Sequence, residues 1–138
     1  MRVRLPPRPP RFLPDAKLKN DRIGEMILIL DSKVTPEQIA EVTTMYEGYT
    51  KIVVDIKLKV LAAGGEYHID CEQALLEKGS KQSDLWGGGY RFRSNEVDFM
   101  ALTNYKPNID HFSYEITSPE IRKQVEEIIR MVFDYEQK

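Results

Sequence analysis

Lys51-Ile-Val-Val-Asp-Ile56, Lys57-Leu-Lys59 and Val60-Leu-Ala-Ala63 read as a strand, a turn and a returning partner strand. The first run is β-branched and apolar, and a three-residue turn brings the chain back alongside itself. Upstream, Met26-Ile-Leu-Ile-Leu-Asp31 is another apolar run of strand length. Thr35-Pro36-Glu37-Gln38 then supplies an N-cap, a first-turn proline and an N3 glutamine; Ile39, Val42 and Tyr46 share one helix face, and Gly48 ends the helix.

Downstream, a second helix is expected from His68 or Asp70, with Leu75 and Leu76 inward and Gly79 at the position just past its end. Tyr90–Phe92 and Val97–Thr103 read as strands around a Ser94-Asn95 turn, and His111–Ile116 as a further strand after the Pro107-Asn108 loop. The clearest element is the last. Ser118 caps it, Pro119 opens it, and Ile121, Val125, Ile128, Ile129, Val132 and Phe133 form one apolar stripe, with Lys123, Glu126, Glu127, Arg130 and Asp134 on the solvated face. This order lacks regular βαβ alternation. The expected fold is therefore α+β: a mostly antiparallel or mixed sheet with three helices packed on one side, in a single domain of residues 26–138.

A chain of 138 residues suits one hydrophobic core. Cys71 is the single cysteine, which excludes an intrachain disulfide or a multi-thiolate zinc site and fits a reducing, cytoplasmic setting. No apolar run approaches the roughly 20 residues of a membrane span. Residues 1–25 carry seven Lys or Arg against three acids, +4, while residues 26–138 carry thirteen against nineteen, −6. The acidic body would repel a phosphate backbone, so neither nucleic acid nor membrane is an expected partner.

The first 25 residues contain Pro6, Pro7, Pro9, Pro10 and Pro14 among arginines, the composition of an extended, flexible tail outside the core. Arg4 to Pro10 fits Arg-x-x-Pro-x-x-Pro and Pro6 to Arg11 fits Pro-x-x-Pro-x-Arg, patterns an aromatic groove can read; the plainer reading is an unstructured extension. A second reading makes Met26 the natural start and residues 1–25 untranslated upstream sequence; tail peptides in the native protein's mass spectrum would rule that out.

Reactive side chains crowd into Gly64-Gly65-Glu66-Tyr67-His68-Ile69-Asp70-Cys71-Glu72 and continue through Gln82, Asp84 and Trp86 to Gly87-Gly88-Gly89. If the first part is extended, Glu66, His68 and Asp70 share a face; if helical, His68 lines up with Cys71 and Glu72. A His68–Cys71 pair would be a base and a thiolate nucleophile, against the plainer reading of a buried apolar cysteine. Asp70 with Asp84 would suit acid–base work, against capping or solvated acids. His68 with Glu72 has metal-ligand spacing, but His111 is the only other imidazole, so no metal and no cofactor are expected. The glycine run lacks the Gly-Lys-Ser/Thr ending of a nucleotide loop and reads as a turn or bulge. Trp86 is either a core plug or an aromatic anchor.

Together with Met26-Ile-Leu-Ile-Leu, Val54-Asp55-Ile56, Leu75 through Gly87, Asn104, Lys106-Pro107 and Ser118-Pro119-Glu120-Ile121-Arg122, the Gly64–Glu72 block resembles a family of short prokaryotic proteins known only as a domain of unknown function. The likeness covers about residues 26–135 and implies fold kinship, with no activity to carry over. It departs at Gly88-Gly89 and around Asn108–His111.

Two function classes follow. The first is a small soluble binding protein that meets a protein partner through the surface around residues 64–89, with Glu66, Glu72, Gln82, Trp86 and Asn104 as binding candidates. The second is a small hydrolase using His68, Asp70, Cys71 and Asp84, which requires those groups to converge in a cleft. The first is preferred, since no diagnostic catalytic motif is present.

Overall fold

Thr35 and Gln38 close a reciprocal cap: the Thr35 hydroxyl accepts the Gln38 N–H at 3.2 Å and the Gln38 side chain accepts the Thr35 N–H at 3.0 Å. That cap starts α1, Pro36–Val42, shorter than the apolar spacing out to Tyr46 implied. The structure is a computed structural model, which describes residues 27–133. The expected tail of residues 1–25 lies outside the described residues.

The hairpin forms as read, with β2, Tyr49–Asp55, pairing antiparallel to β3, Val60–Ala63, in a register that sets Val53 opposite Ala62. Its turn is held by the buried Asp55 carboxylate, whose Oδ1 accepts the N–H groups of Lys57 and Leu58, both at 2.9 Å. Its other oxygen accepts the Ser80 hydroxyl at 2.6 Å, tying the turn to the chain that follows the second helix. With β1, Leu28–Leu30, β4, Leu85–Arg91, and β5, Glu96–Asp98, these strands make a five-stranded antiparallel sheet in the order β1-β3-β2-β4-β5.

The second helix, α2, His68–Glu77, ends as its sequence indicates: Gly79 has φ +107, and the N–H groups of Gly79 and Ser80 close back on the carbonyls of Leu76 and Leu75. The third, α3, Pro119–Phe133, buries Val125, Ile128, Ile129, Val132 and Phe133. At roughly 1.5–3 kcal/mol for each buried apolar side chain, this stripe rather than intrinsic propensity holds the helix in place.

The three helices are not on one side of the sheet. α1 and α3 pack with Ile52, Val54, Leu61, Trp86 and Tyr90 on one face, while Cys71 and Leu75 of α2 pack with Val53, Ala62 and Leu85 on the other. The uninterrupted apolar run Ile52-Val53-Val54 requires this, because a strand whose successive side chains are all apolar needs cover on both faces.

Gly87-Gly88-Gly89 is likewise not a turn but the middle of β4, paired with Val53, Ile52 and Lys51. The reason is steric. A Cβ on Gly87 would lie 2.5 Å from the Ala101 Cβ, one on Gly88 would strike the Asp98 carbonyl oxygen, and one on Gly89 would strike the Tyr49 hydroxyl. Neighbouring chain therefore lies directly on the strand's backbone.

Two other expected strands are reduced. Val97–Thr103 pairs only as far as Asp98 before a single helical turn at Leu102–Asn104, and His111–Ile116 forms no strand. Residues 99–115 instead make an arm held by isolated bridges, Met100 with Glu115 and Lys106 with His111. Because β5 pairs only with Gly89–Arg91, this arm covers the remaining edge of β4.

Candidate functional site

His68 opens α2 and lays its ring on the glycine strand, with Nε2 2.7 Å from the Gly88 carbonyl oxygen and Cδ2 3.4 Å from where a Gly87 Cβ would stand. A carbonyl only accepts, so the proton is assigned to Nε2 and Nδ1 keeps the lone pair of a neutral ring. Burial lowers the His68 pKa from its usual value, against the Gly88 hydrogen bond, which favours the charged form; Lys51 lowers it further and Asp98 opposes.

Beyond it, the Tyr49 hydroxyl rests at Gly89 and donates to Asp98 Oδ2 at 3.0 Å. Burial first, then the Asp98 charge, push this phenol above the ordinary range, so it stays protonated. The Arg91 guanidinium lies 4.8 Å from the Tyr49 ring centroid, and the Lys51 ammonium 5.2 Å from that of Tyr46 and 5.9 Å from that of Tyr67. Charge and aromatic groups thus collect at the start of α2.

A second polar neighbourhood occupies the edge of β4. Asn104, 0% exposed, takes the place of a missing strand: its Oδ1 accepts the Gly87 N–H at 2.7 Å and its Nδ2 donates to the Gly87 carbonyl at 3.1 Å. The same Nδ2 donates to the carbonyls of Phe99 at 3.0 Å and Tyr114 at 2.9 Å, fastening both sides of the arm. The Asn104 carbonyl accepts His111 Nδ1–H at 2.7 Å, leaving Nε2 to accept the Thr117 N–H at 3.2 Å. The His111 ring packs edge-on against Trp86 at 5.0 Å. Lys106, 1% exposed, donates from Nζ to the Gln82 carbonyl at 2.8 Å and stands 5.1 Å from the Trp86 ring centroid.

Burial lowers the Lys106 pKa to about 8, opposed by the charges of Glu72 and Asp84. Between that value and the 10.5 of a free lysine, the unfolded chain binds more protons than the folded one, so this group's contribution to stability rises with pH across that window and is level below it. Wild type is therefore expected to gain about 1–2 kcal/mol on Lys106→Met between pH 7 and 9.5, less than the full shift implies because relaxation and water penetration soften such effects. Urea unfolding of both proteins at the two pH values measures this; a constant difference would refute it.

The sequence candidates fall into separate places. Asp70 sits in the first turn of α2 and accepts the Tyr67 N–H at 3.1 Å, while Asp84 follows the far end of that helix, near Lys106, with roughly 10 Å of helix between them. Cys71 is fully buried against the sheet, its Sγ 3.9 Å from the Lys51 carbonyl. Glu72 accepts the Thr103 hydroxyl at 3.0 Å. Glu66 and Gln82 are exposed side chains whose backbone carbonyls accept Tyr46 and Lys106. Trp86 is 2% exposed, a core plug rather than a surface anchor. His68, Asp70 and Asp84 do not converge.

Tyr49, Lys51 and Asp98, which share the neighbourhood of His68, were not among the sequence candidates, and neither were Lys106 and His111. The signal for the first set is the period of two in β2, which puts Tyr49 and Lys51 on the face opposite Ile52. Lys106 carried no such signal beyond its place in the Lys106-Pro107 block.

Among the described residues no group of three or more His, Cys, Asp or Glu is placed to hold a metal ion, and no helix is long and apolar enough to cross a membrane. No curated protein and no solved structure matches this chain. Residues 28–132, from the first strand to the last turn but one residue of α3, match the model of a family described as a protein of unknown function, DUF5674, and the chain belongs to that family.

Proposed function

We propose that this is a cytoplasmic binding protein that docks a protein partner on the outer surface of its 99–115 arm, beside the 64–89 region. One observation carries the reading. Met100, Leu102, Tyr105, Ile109, Phe112 and Tyr114 are all exposed on this one segment, Leu102 at 72% and Phe112 at 64%, and the Tyr105 ring meets Phe112 at 6.3 Å and Tyr114 at 5.7 Å. Single exposed apolar residues are ordinary, but such a concentration of large and aromatic ones is the composition of an interface core. The arm is pinned beneath by Asn104 and His111, so the rings are presented on a braced surface. The scatter of His68, Asp70 and Asp84 supports binding over hydrolysis.

A photo-crosslinking amino acid at Phe112 is expected to trap one discrete protein in the native host, and the same group at the exposed Lys57 to trap none. Adding Leu102→Ser should abolish the Phe112 crosslink. Equal crosslinking from both positions, or indifference to Leu102→Ser, would refute the reading.

A further inference from the structure

We propose that the aromatic face of the arm docks a segment of this chain's own N-terminal region, Pro6 to Arg11, as a polyproline II strand in the same molecule. This docking uses the surface assigned above to a partner and needs no partner to be present. A polyproline II strand has three residues per turn, so Pro6 and Pro9 line one edge, Pro7 and Pro10 the next, and Arg8 and Arg11 the third. Two edges are thus apolar and one is cationic. Such a strand makes no hydrogen bonds of its own, which leaves its carbonyls open to donors, and aromatic-lined surfaces recognise it because it costs little entropy to order.

The arm presents a complement to each edge. The exposed Tyr105 ring meets Phe112 at 6.3 Å and 73° and Tyr114 at 5.7 Å and 68°. Rings set at such angles form steps rather than a flat stack, and a proline ring seats in a step of this kind. Among the described residues neither the Tyr105 nor the Tyr114 hydroxyl has a hydrogen-bond partner, which leaves two donors for the strand's carbonyls.

Charge runs the same way. The first fourteen residues hold four arginines and no acid. The charged residues of the arm are Lys106, Asp110 and Glu115; the lysine is buried, and both acids are exposed beside the aromatic residues in sequence. Arg122 of α3 already pairs with Glu115 at 3.2 Å, whereas Asp110 has no ion pair among the described residues, so Asp110 is the acid assigned to Arg11. Asp98, just before the arm, is engaged by the Tyr49 hydroxyl and the Met100 N–H.

The chain is long enough to close this contact. Between Arg11 and Ile27, the first described residue, lie fifteen residues, which span at most roughly 50 Å. β1 and β4 are three strand spacings apart, about 15 Å, so Arg11 can reach the arm beside β4. Docked there, the segment covers the rings a partner needs, and the two compete for them.

The test is NMR of the purified full chain, residues 1–138. Nuclear Overhauser contacts are expected between the ring protons of Pro6 and Pro9 and those of Tyr105, Phe112 and Tyr114, unchanged on dilution. Pro6→Gly, Pro7→Gly, Pro9→Gly and Pro10→Gly together should abolish these contacts and shift the arm's amide peaks, while that of the exposed Lys57 stays in place. Asp110→Asn should move the same peaks part of the way toward the glycine variant, for a loss of up to about fivefold in docking. Asp110 has φ +63, a conformation asparagine adopts readily, so the loop keeps its shape. Absence of the contacts in wild type, or arm peaks indifferent to the proline substitutions, would overturn the proposal. So would contacts that fade on dilution, which would put a second copy's segment on the arm. The first measurement needs only wild type, and none of these outcomes bears on a partner, whose test remains the Phe112 crosslink.

Discussion

Asn104→Ala is expected to cost about 3–5 kcal/mol of folding stability, from two polar groups buried without partners and two further hydrogen bonds lost. Removing the amide strands the Gly87 N–H and carbonyl where no neighbouring strand can replace it, and takes one of two donors from the carbonyls of Phe99 and Tyr114, which keep the N–H groups of Ile116 and Ala101. Asn104→Asp should rescue nothing. It keeps an acceptor for the Gly87 N–H but turns the donor that served three carbonyls into a second oxygen facing them. Because His111 and Lys106 reach Trp86 from the same arm, loosening it should also shift Trp86 fluorescence to the red before global unfolding. Urea unfolding followed by fluorescence and by far-ultraviolet circular dichroism separates the two stages. A loss under about 1 kcal/mol would mean that the arm is held by something other than this side chain.

Gly88→Ala is expected to cost about 3 kcal/mol or more, whereas Gly87→Ala should be repairable. The difference lies in what each methyl group meets. At Gly88 it meets the Asp98 carbonyl oxygen and, at 3.4 Å, the Phe99 Cα, so the backbone leaving β5 would have to move and no side chain can be trimmed to make room. At Gly87 the one severe contact is the Ala101 Cβ at 2.5 Å; His68 at 3.4 Å and Thr103 at 3.6 Å are ordinary neighbours. Gly87→Ala with Ala101→Gly exchanges one methyl across the same gap and should return to within about 1 kcal/mol of wild type. Thermal unfolding of the three variants decides it; a Gly88→Ala protein as stable as wild type would show that the close approach at Asp98 relaxes at little cost.

Much of this architecture is written in short stretches. Thr35-Pro36-Glu37-Gln38 caps α1, Gly79 ends α2, and the apolar stripe from Ile121 to Phe133 makes α3, each by interactions within a turn or two of chain. The sequence leaves a helical start at His68 as one of two readings; the structure takes the helical one, which brings the Asp70 Cβ, the Tyr67 carbonyl and the Cys71 sulfur within 3.3 Å of where a Gly65 Cβ would stand. The division of helices between two faces was present in Ile52-Val53-Val54, which is apolar on both sides of the strand. The glycine run misled because local preference disfavours glycine in strands, and only neighbours distant in sequence make it necessary there.

The sequence by itself determined the three helices, their caps and the antiparallel hairpin of β2 and β3, since these depend on periodicity and on hydrogen bonds between residues a few positions apart. Tertiary structure alone decided the sites. His68 meets Gly88 across 20 positions, Tyr49 meets Asp98 across 49, and Asn104 meets Gly87 across 17. No local pattern encodes such meetings: which polar groups share a neighbourhood follows from how sheet edge, helix start and arm pack, and that packing is set by the apolar core rather than by the polar residues it brings together.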